Sequence, residues 1–320
     1  MPTGDISTAA QPPVDDSGQR RWAEMLGSLT ALLPATCLSV LADGPADQAS
    51  LFASRLAKRL AGERRPRQVR VTLDAAEDSD VAVFLRTAPG GRHSPVYNKN
   101  RNEQNAQDRR EREERADIVV DLHDVNWPVI RRVAAPLAAR GPWYLTETRA
   151  FFACRAATWD AKFGDDLPAY CAAVAEAGIS HSGVVVDVGC GTGRALPPLR
   201  EAVGPAGTVI ALDVTPEMLE AARPAAQLAG GSMVIADARA LPFADASADA
   251  IFAAGLVNHL PDTAAGLGEL ARVTRPGGLL VLFHPSGRAA LAVRHGHALS
   301  PDEPLAEPRC AASRRHQAGG

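Results

Sequence analysis

Short apolar runs alternate with amphipathic stretches along most of the 320-residue chain, and they fall into two successive series. In the first series, the pattern predicts helices over 20–33 and 47–62 and strands over 38–42, 68–73, 81–85 and 118–121. A mixed-charge stretch at 101–116 is typical of a solvated helix face or a loop. Strands separated by helices indicate a parallel sheet, so we expect a first α/β domain over 20–140.

The second series is more regular than the first. It predicts five strands, over 184–188, 209–213, 233–237, 249–253 and 279–283. Helical stretches follow Gly193 and Thr215 and occupy about 261–273. The predicted fold class is therefore α/β, with two doubly wound parallel-sheet domains that meet near 139–142. The second domain is expected over 145–295.

Two terminal segments fit neither series. Residues 1–19 are polar and contain acids and prolines without an apolar core, which predicts a disordered N-terminus and not a signal peptide. Residues 296–320 are rich in Pro, Arg, Ala and Gly, which predicts an irregular tail. Both segments are therefore expected to lie outside the two domains.

Composition narrows the class of protein. Apolar residues make up 46% and charged residues 22%, as in ordinary globular proteins, and a net charge of −3 gives no electrostatic reason to expect a nucleic-acid partner. No apolar run approaches the ~20 residues of a membrane span. The five cysteines are odd in number and never form a C-x-x-C pair, which disfavours disulfides and a zinc site. We therefore expect a cytoplasmic protein without a metal.

One motif at the start of the second series indicates a ligand site. Residues 184–194 read V-V-V-D-V-G-C-G-T-G-R, a buried strand that turns through three glycines into a helix. Glycines let the backbone turn sharply and approach a ligand closely. In parallel sheets, ligands bind beyond the carboxyl ends of the strands, where the strand order reverses. The turn is therefore predicted to face a bound ligand.

Acidic residues end the next two predicted strands. Asp213 lies 20 residues after Gly193, the spacing at which a carboxylate can accept the ribose hydroxyls of an adenosine ligand. Its alternative role as a helix cap is already filled by Thr215, with Pro216 as the first helical residue. Asp237 is placed to accept an adenine amino hydrogen, although an Asp before a loop is also common.

Four motifs occur in order along this half of the chain: D-V-G-C-G-T-G, A-L-D-V-T-P-E-M-L, A-D-A-R-A-L-P-F-A-D-A-S-A-D and R-P-G-G-L-L-V-L. With them, the stretch at about 145–290 resembles the class I S-adenosylmethionine (SAM)-dependent methyltransferases, in particular their broad small-molecule branch. The resemblance implies a Rossmann-like fold, SAM as the cofactor and a small-molecule methyl acceptor. Because nothing after about 290 reads as a strand, we expect the sheet to lack the last two strands of that family.

The resemblance also implies which residues contact SAM. The methionine part would be surrounded by residues of the glycine turn: Asp187, Gly189, Cys190, Gly191 and Gly193. The adenosine part would meet residues at the next strand ends: Asp213 at the ribose, Val214 and Met218 beside it, Asp237 and Ala238 at adenine, and Asn258 within 255–259 on the substrate side. Residues 151–160 are similar to the helix that precedes this fold and covers the cofactor.

The expected chemistry does not demand a catalytic side chain. Methyl transfer from a sulfonium is a direct displacement, in which holding the reactants in line supplies most of the rate. A general base helps only when the acceptor must lose a proton, so the catalytic residue is left unassigned. We interpret His259 and His284 as structural or polar-lining residues and Cys190 as a packing residue.

The first series carries a second resemblance. Residues 38–60 resemble the first strand, phosphate loop and helix of uridine-kinase-like P-loop proteins, and 94–97 and 116–124 look like later parts of that family. A working P-loop needs G-x-x-x-x-G-K-[ST]. The chain keeps Gly44 and Ser50 but has no second glycine and no lysine before Lys58. This predicts a degenerate P-loop domain that transfers no phosphate.

Two other functions remain as alternatives. A nicotinamide-dependent dehydrogenase also uses a glycine turn and a ribose acid, but its fingerprint is G-x-G-x-x-G, and Arg194 stands where the third glycine belongs. A SAM- or nucleotide-binding module that has lost catalysis would account for both the shortened sheet and the broken P-loop.

Overall fold

The computed structural model describes residues 16–63, 69–73, 78–87, 99–140, 143–163 and 166–285. The chain divides into two compact units, Met1–Glu147 and Thr148–Gly320. Each unit contains a five-stranded sheet flanked by helices, which confirms the predicted α/β fold class. The boundary between the units lies a few residues after the predicted 139–142. No helix in the described part of the chain is long and apolar enough to cross a bilayer.

The first unit is built around a mostly parallel sheet with strand order β2-β1-β3-β4-β5, in which only β5 runs antiparallel to its neighbour. Its elements in chain order are α1 (Asp16–Leu32), β1 (Ser39–Asp43), α2 (Ala46–Ala61), β2 (Arg70–Thr72), β3 (Val81–Arg86), α3 (Lys99–Arg115), β4 (Ile118–Asp121), β5 (Val129–Val133) and α4 (Ala135–Ala138). The helix α5 (Trp143–Ala153) begins in this unit and ends in the next. Strand β5 was not predicted.

The first helix starts earlier than its apolar pattern indicates. Residues 16–19, predicted as part of a disordered segment, form the first turn of α1, where Asp16 places a negative charge at the helix N-terminus. The apolar face of α1 then packs on the sheet through Trp22, Met25 and Leu29, all fully buried. Residues 1–15, the rest of the predicted disordered segment, lie outside the described residues.

The second unit contains a wholly parallel sheet with strand order β10-β9-β6-β7-β8. After α5 and a 3₁₀ turn (Ala156–Thr158), its elements are α6 (Trp159–Phe163), α7 (Leu167–Ala177), β6 (Val184–Val188), α8 (Leu196–Val203), β7 (Thr208–Asp213), α9 (Pro216–Leu228), β8 (Ser232–Ile235), β9 (Ala248–Ala254), a 3₁₀ turn (Val257–His259), α10 (Thr263–Val273) and β10 (Thr274–Phe283). The sheet order reverses at β6, whose two neighbours are β7 and β9.

Both faces of the second sheet are covered by helices. One face packs against α7, α8 and α9 through residues such as Val185, Leu199 and Phe252. The other face packs against α10 through residues such as Val186 and Leu270. Because alternate residues of each strand point to opposite faces, the continuous apolar strands of the sequence supply both cores. The second unit is therefore doubly wound, as predicted.

Two details of the second sheet differ from the sequence-based expectation. Strand β8 ends at Ile235, so Asp237 lies in the loop beyond the strand and not at its last position. Residues 275–278, which precede the predicted strand 279–283, lie within β10, where the pairing with β9 shifts register between Thr274 and Leu279. Gly277, with φ of 73°, accommodates this irregularity. The expected irregular tail at 296–320, and the stretch after about 290 that was expected to form no strand, lie outside the described residues.

Packing explains why a glycine, Gly44, occurs in the segment that resembles a P-loop. A Cβ on Gly44 would lie 2.8 Å from the Cβ of Leu85, so the close approach of β3 excludes a side chain there. Lys58 lies in the last turn of α2, about 18 Å along the helix axis from its first turn at 1.5 Å per residue. Lys58 is therefore too distant to act as a phosphate-loop lysine. Residues 94–97, which also resemble part of that family, lie outside the described residues.

A buried ion pair joins three parts of the first unit. The Arg21 guanidinium, 2% exposed, donates to the carboxylate of Glu147, 0% exposed, at 2.5 Å and to the carbonyl oxygen of Pro128 at 2.8 Å. The same Glu147 oxygen accepts the backbone N–H of Ile130 at 2.9 Å. Burial raises the pKa of Glu147, and the Arg21 charge opposes that shift. The pair thus ties α1 to β5 and to the start of α5.

We expect Arg21→Met to lower the free energy of unfolding by about 3–5 kcal/mol, because it leaves the Glu147 carboxyl buried without its partner. The double variant Arg21→Met/Glu147→Leu should recover much of the loss. Urea titration followed by circular dichroism measures both. Arg20→Met is the matched control, because Arg20 is exposed and donates to the Asp16 carbonyl in its own helix. An equal loss in the control would contradict this account.

Candidate functional site

The glycine turn after β6 is bound to the neighbouring strand β7. The backbone N–H groups of Gly189 and Cys190 both donate to the Leu212 carbonyl, at 2.8 and 2.9 Å. Gly189, Gly191 and Gly193 all have positive φ, at 73°, 53° and 83°, a conformation that residues with a Cβ adopt only at a cost. The turn therefore lies at the carboxyl ends of β6 and β7, where the strand order reverses.

The glycines of the turn serve different purposes. A Cβ on Gly191 would meet nothing within 4 Å, so this position faces open space. A Cβ on Gly193 would lie 3.2 Å from the Cβ atoms of both Ala222 and Ala225, so the glycine permits close packing against α9. A Cβ on Gly189 would approach Leu256, in the loop after β9, at 3.1 Å. Only the middle glycine thus leaves room for a ligand.

Asp213, the last residue of β7, holds the glycine turn in place through a hydrogen bond. Its carboxylate, 8% exposed, accepts the backbone N–H of Gly191 at 3.0 Å through one oxygen and that of Thr215 at 2.8 Å through the other. Burial raises the pKa of Asp213, and these backbone hydrogen bonds partly offset the shift. A carboxylate has about four lone-pair sites, so it can still accept hydrogen bonds from ligand hydroxyl groups.

Asp187 is buried beside Asp213 without a hydrogen-bond partner. It is 1% exposed, and neither carboxyl oxygen has a partner among the described residues. Burial, and then the negative charge of Asp213, raise the pKa of Asp187 to about 8. A buried carboxyl group without a partner is costly, and a cation bound next to it would relieve that cost.

The other predicted contact residues lie at the neighbouring strand ends. Met218 is 1% exposed, so the protein itself covers its side chain. The Val214 carbonyl accepts the Nε–H of Arg149 at 2.9 Å, and the Asp237 carboxylate forms an ion pair with Arg239 at 2.7 Å. Ala238, the neighbour of Asp237, is buried in the core between the sheet and α10. Asn258 lies in the 3₁₀ turn after β9, and its side chain is not described.

Cys190, His259 and His284, which we interpreted as non-catalytic, all pack against or are buried within the protein. Cys190 is buried, and burial together with the charge of Asp187 raises its thiol pKa well above the ordinary value. The thiol therefore stays protonated and unreactive. The His259 ring packs on the Phe152 ring with centroids 5.0 Å apart, and His284 is buried at the end of β10. The described residues contain no group of three His, Cys, Asp or Glu side chains suited to a metal ion.

Residues 148–163, here called the covering segment, contact three strand ends of the second sheet. Arg149 donates to the carbonyl of Val214 after β7, Phe152 packs on His259 after β9, and Asp160 accepts the Thr192 hydroxyl after β6 at 2.5 Å. The expectation of a continuous helix over 151–160 is wrong, because α5 ends at Ala153 and α6 begins only at Trp159.

Comparison with known proteins gives a family match within this unit. Residues 186–282 match the family model described as a methyltransferase domain. The match begins within β6 and ends one residue before the end of β10, so it spans all or part of every strand in the second sheet and supports a methyltransferase domain in this unit. The match to a methyltransferase domain supports SAM, the cofactor predicted from the sequence.

Individual relatives cover only part of the chain. A protein from Streptomyces fradiae, named as an uncharacterized 37.1 kDa protein in transposon TN4556, is 40% identical over 101 residues, 31% of this chain and 29% of its own length. Demethylmenaquinone methyltransferase from Staphylococcus aureus is 36% identical over 110 residues, 34% of this chain and 46% of its own. The chain therefore spans less than half the length of these curated relatives.

A solved structure gives a similarly partial match. The SAM-dependent methyltransferase from Aquifex aeolicus is 33% identical, and the match covers 33% of this chain and 58% of that one, with a TM-score of 0.32.

We expect Gly193→Ala to destabilise the protein more than Gly191→Ala. Both substitutions place a Cβ at positive φ, at a cost of roughly 1–2 kcal/mol. The Gly193 variant also forces a methyl group between two alanine Cβ atoms of α9, which should add about 1–3 kcal/mol. Urea titration of the two variants measures the difference directly, since Gly191→Ala has the strain without the contact. Equal losses would show that α9 is not held this closely.

We expect Asp187 to make the protein less stable as the pH rises. Between about pH 4, where the carboxyl ionises in an unfolded chain, and pH 8, the folded protein retains a proton that the unfolded chain has lost. The free energy of unfolding should therefore fall across that window, by up to about 1.4 kcal/mol per pH unit. Asp187→Asn cannot ionise and should remove this contribution.

Urea titrations of wild type and Asp187→Asn at pH 5, 6, 7 and 8, without ligand, measure it. Asp245→Asn is the control, because that carboxylate is exposed. Parallel stability curves for wild type and Asp187→Asn would contradict the assignment.

Proposed function

We propose that this chain transfers the methyl group of SAM to a small-molecule acceptor. One observation carries the proposal: the glycine turn and two buried carboxylates, Asp187 and Asp213, meet at the reversal of strand order within the segment that matches a methyltransferase domain. Ligands of open parallel sheets bind at this position.

The residues at the turn fit the chemistry of SAM. Asp213 retains lone pairs for the two ribose hydroxyls after binding Gly191 and Thr215. Gly191 leaves open space for the close approach of a ligand. Asp187, whose oxygens have no partner among the described residues, would be stabilised by the positive charge of the methionine part. Together they support a ligand that is cationic at one end and carries a ribose at the other.

The remaining predicted contacts keep distinct roles in the proposal. Gly189 and Gly193 shape the turn, and Cys190 fills space behind it. Val214 and Met218 would form the wall beside the ribose, with Met218 supporting the wall from within the core. Asp237 and Ala238 would meet adenine, where the Asp237 carboxylate has lone pairs beyond those used by Arg239. Asn258 would line the cofactor from the acceptor side.

Positioning accounts for the chemistry without a dedicated base. SAM, when bound, supplies a methyl group on a sulfonium that an acceptor atom displaces directly. Asp213 and the glycine turn orient the adenosyl part, and the covering segment shields it from water. Holding two reactants in line is worth roughly 7–11 kcal/mol of the barrier, and a general base adds to this only when the acceptor must lose a proton.

Aromatic side chains support a small, partly planar acceptor. Four half-buried rings lie close together: Phe151, Phe152 and Trp159 of the covering segment, and His259 after β9. The centroid of the Phe152 ring is 5.7 Å from that of Trp159 and 5.0 Å from that of His259. Such a wall suits an apolar ring better than a charged peptide. The name of the Staphylococcus aureus relative, a demethylmenaquinone methyltransferase, also supports a small-molecule acceptor.

We expect Asp213→Asn to weaken binding of S-adenosylhomocysteine at least tenfold, because the amide keeps only one accepting atom for two backbone N–H groups and the ribose. Isothermal titration calorimetry of the full chain measures the affinity. Asp249→Asn is the matched control: Asp249 also accepts a backbone N–H, that of Val184 at 2.6 Å, but at the start of β9 on the opposite edge of the sheet.

Titration with NAD and ATP completes this test. The proposal fails if wild type prefers either nucleotide to S-adenosylhomocysteine. Equal weakening by Asp213→Asn and Asp249→Asn would place the ligand elsewhere. Binding of S-adenosylhomocysteine without methyl release from labelled SAM, across a panel of planar acceptors, would favour a binding module that has lost catalysis.

A further inference from the structure

A single guanidinium joins the glycine turn to the covering segment. Arg194, directly after Gly193, has a side chain only 9% exposed. It binds the Asp160 carboxylate at 3.0 Å, the Asp166 carboxylate at 2.5 Å and the Trp159 carbonyl at 3.4 Å. The three acceptors belong to Trp159, Asp160 and Asp166, so one side chain after the turn binds three residues from an earlier part of the chain.

The turn makes a second bond to the same carboxylate. The Thr192 hydroxyl donates to Asp160 at 2.5 Å, and Thr192 itself is 6% exposed. Two non-glycine positions of the turn, Thr192 and Arg194, thus contact one residue of the covering segment. Charge-assisted hydrogen bonds of this kind are about twice as strong as neutral ones, and a guanidinium presents its donors in a rigid fork.

The network sits where the covering segment passes the ligand-facing turn. Gly191 faces open space, and its neighbour Thr192 already contacts Asp160. Asp160 itself is 63% exposed, so this anchor is open to water on one side and can exchange its protein partners for water. A contact that is largely shielded from water at Arg194 and open to water at Asp160 is suited to forming and breaking repeatedly.

We propose that Arg194 is a positioning residue that holds the covering segment closed over the glycine turn and thereby limits how fast the cofactor enters and leaves. The inference rests on the proposed function, because it assumes that the turn binds SAM. It also gives a role to the residue that replaces the third glycine of the dinucleotide pattern. The side chain that departs from that pattern is the one that closes the site.

The test combines ligand kinetics with hydrogen exchange on the full chain. In Arg194→Gln, S-adenosylhomocysteine should dissociate about tenfold faster, as measured by surface plasmon resonance. Amide exchange measured by mass spectrometry over 156–163 should also rise about tenfold, without ligand. Arg194→Lys should restore part of both effects, because an ammonium can bind one carboxylate but not the whole set.

Controls separate closure from general stability. Arg223→Gln removes an exposed pair with Glu220 on α9 and should change neither readout. If Arg194→Gln does not fold, Thr192→Val and Asp160→Asn test the same contact from its other members and should shift both readouts in the same direction. Uniform exchange over the whole second unit, or wild-type dissociation in a folded Arg194→Gln, would overturn the proposal.

The two proposals fail in different ways. If wild type does not bind S-adenosylhomocysteine, the proposed function fails, whereas the exchange measurement still reports on whether Arg194 holds the segment. If wild type binds and exchange in 156–163 does not respond to Arg194→Gln, the role of Arg194 fails alone.

Discussion

The hydrogen bond from the Gly191 N–H to the Asp213 carboxylate is the contact on which the site depends. It joins the turn after β6 to the end of β7, while the other oxygen of the same carboxylate holds the N–H of Thr215 at the start of α9. Two strand ends and one helix start are therefore fixed by one side chain. A turn of three glycines has little conformational preference of its own, so its shape must come from such external bonds.

This arrangement places negative charge where burial is expensive. Asp187 and Asp213 are both buried, and the negative charge of Asp213 adds to the cost of ionising Asp187, as the raised pKa of Asp187 indicates. Structures keep such groups at functional sites more often than elsewhere. The free protein reduces the cost by keeping a proton on Asp187 below about pH 8. A cation bound beside the pair would do the same, so the site is suited to a positively charged ligand.

The sequence predicts most of the second unit because its signals are local. Strand 184–188 is predicted with its observed bounds, since a run of valines has few other uses, and α9 begins at Pro216 as predicted because proline suits the first helical position. Predictions are poorer where tertiary contacts decide. Strand β5 pairs antiparallel with β4 across a register shift, and β8 ends before Asp237, outcomes set by neighbouring chain segments and not by local pattern.

The candidate site residues also differ in whether local sequence signals or tertiary contacts determine their position. The glycines and Asp213 can be predicted from spacing, because the turn and the strand after it are close in sequence and must meet in a parallel sheet. The contacts of Asp160 with Thr192, and of Asp160 and Asp166 with Arg194, could not be predicted, since they join residues about 30 positions apart through side-chain fit alone. In the sequence, Arg194 serves only as an argument against a dinucleotide site. In the structure the same side chain is 9% exposed and binds Trp159, Asp160 and Asp166, so a residue that departs from one ligand-binding pattern can have a structural role of its own.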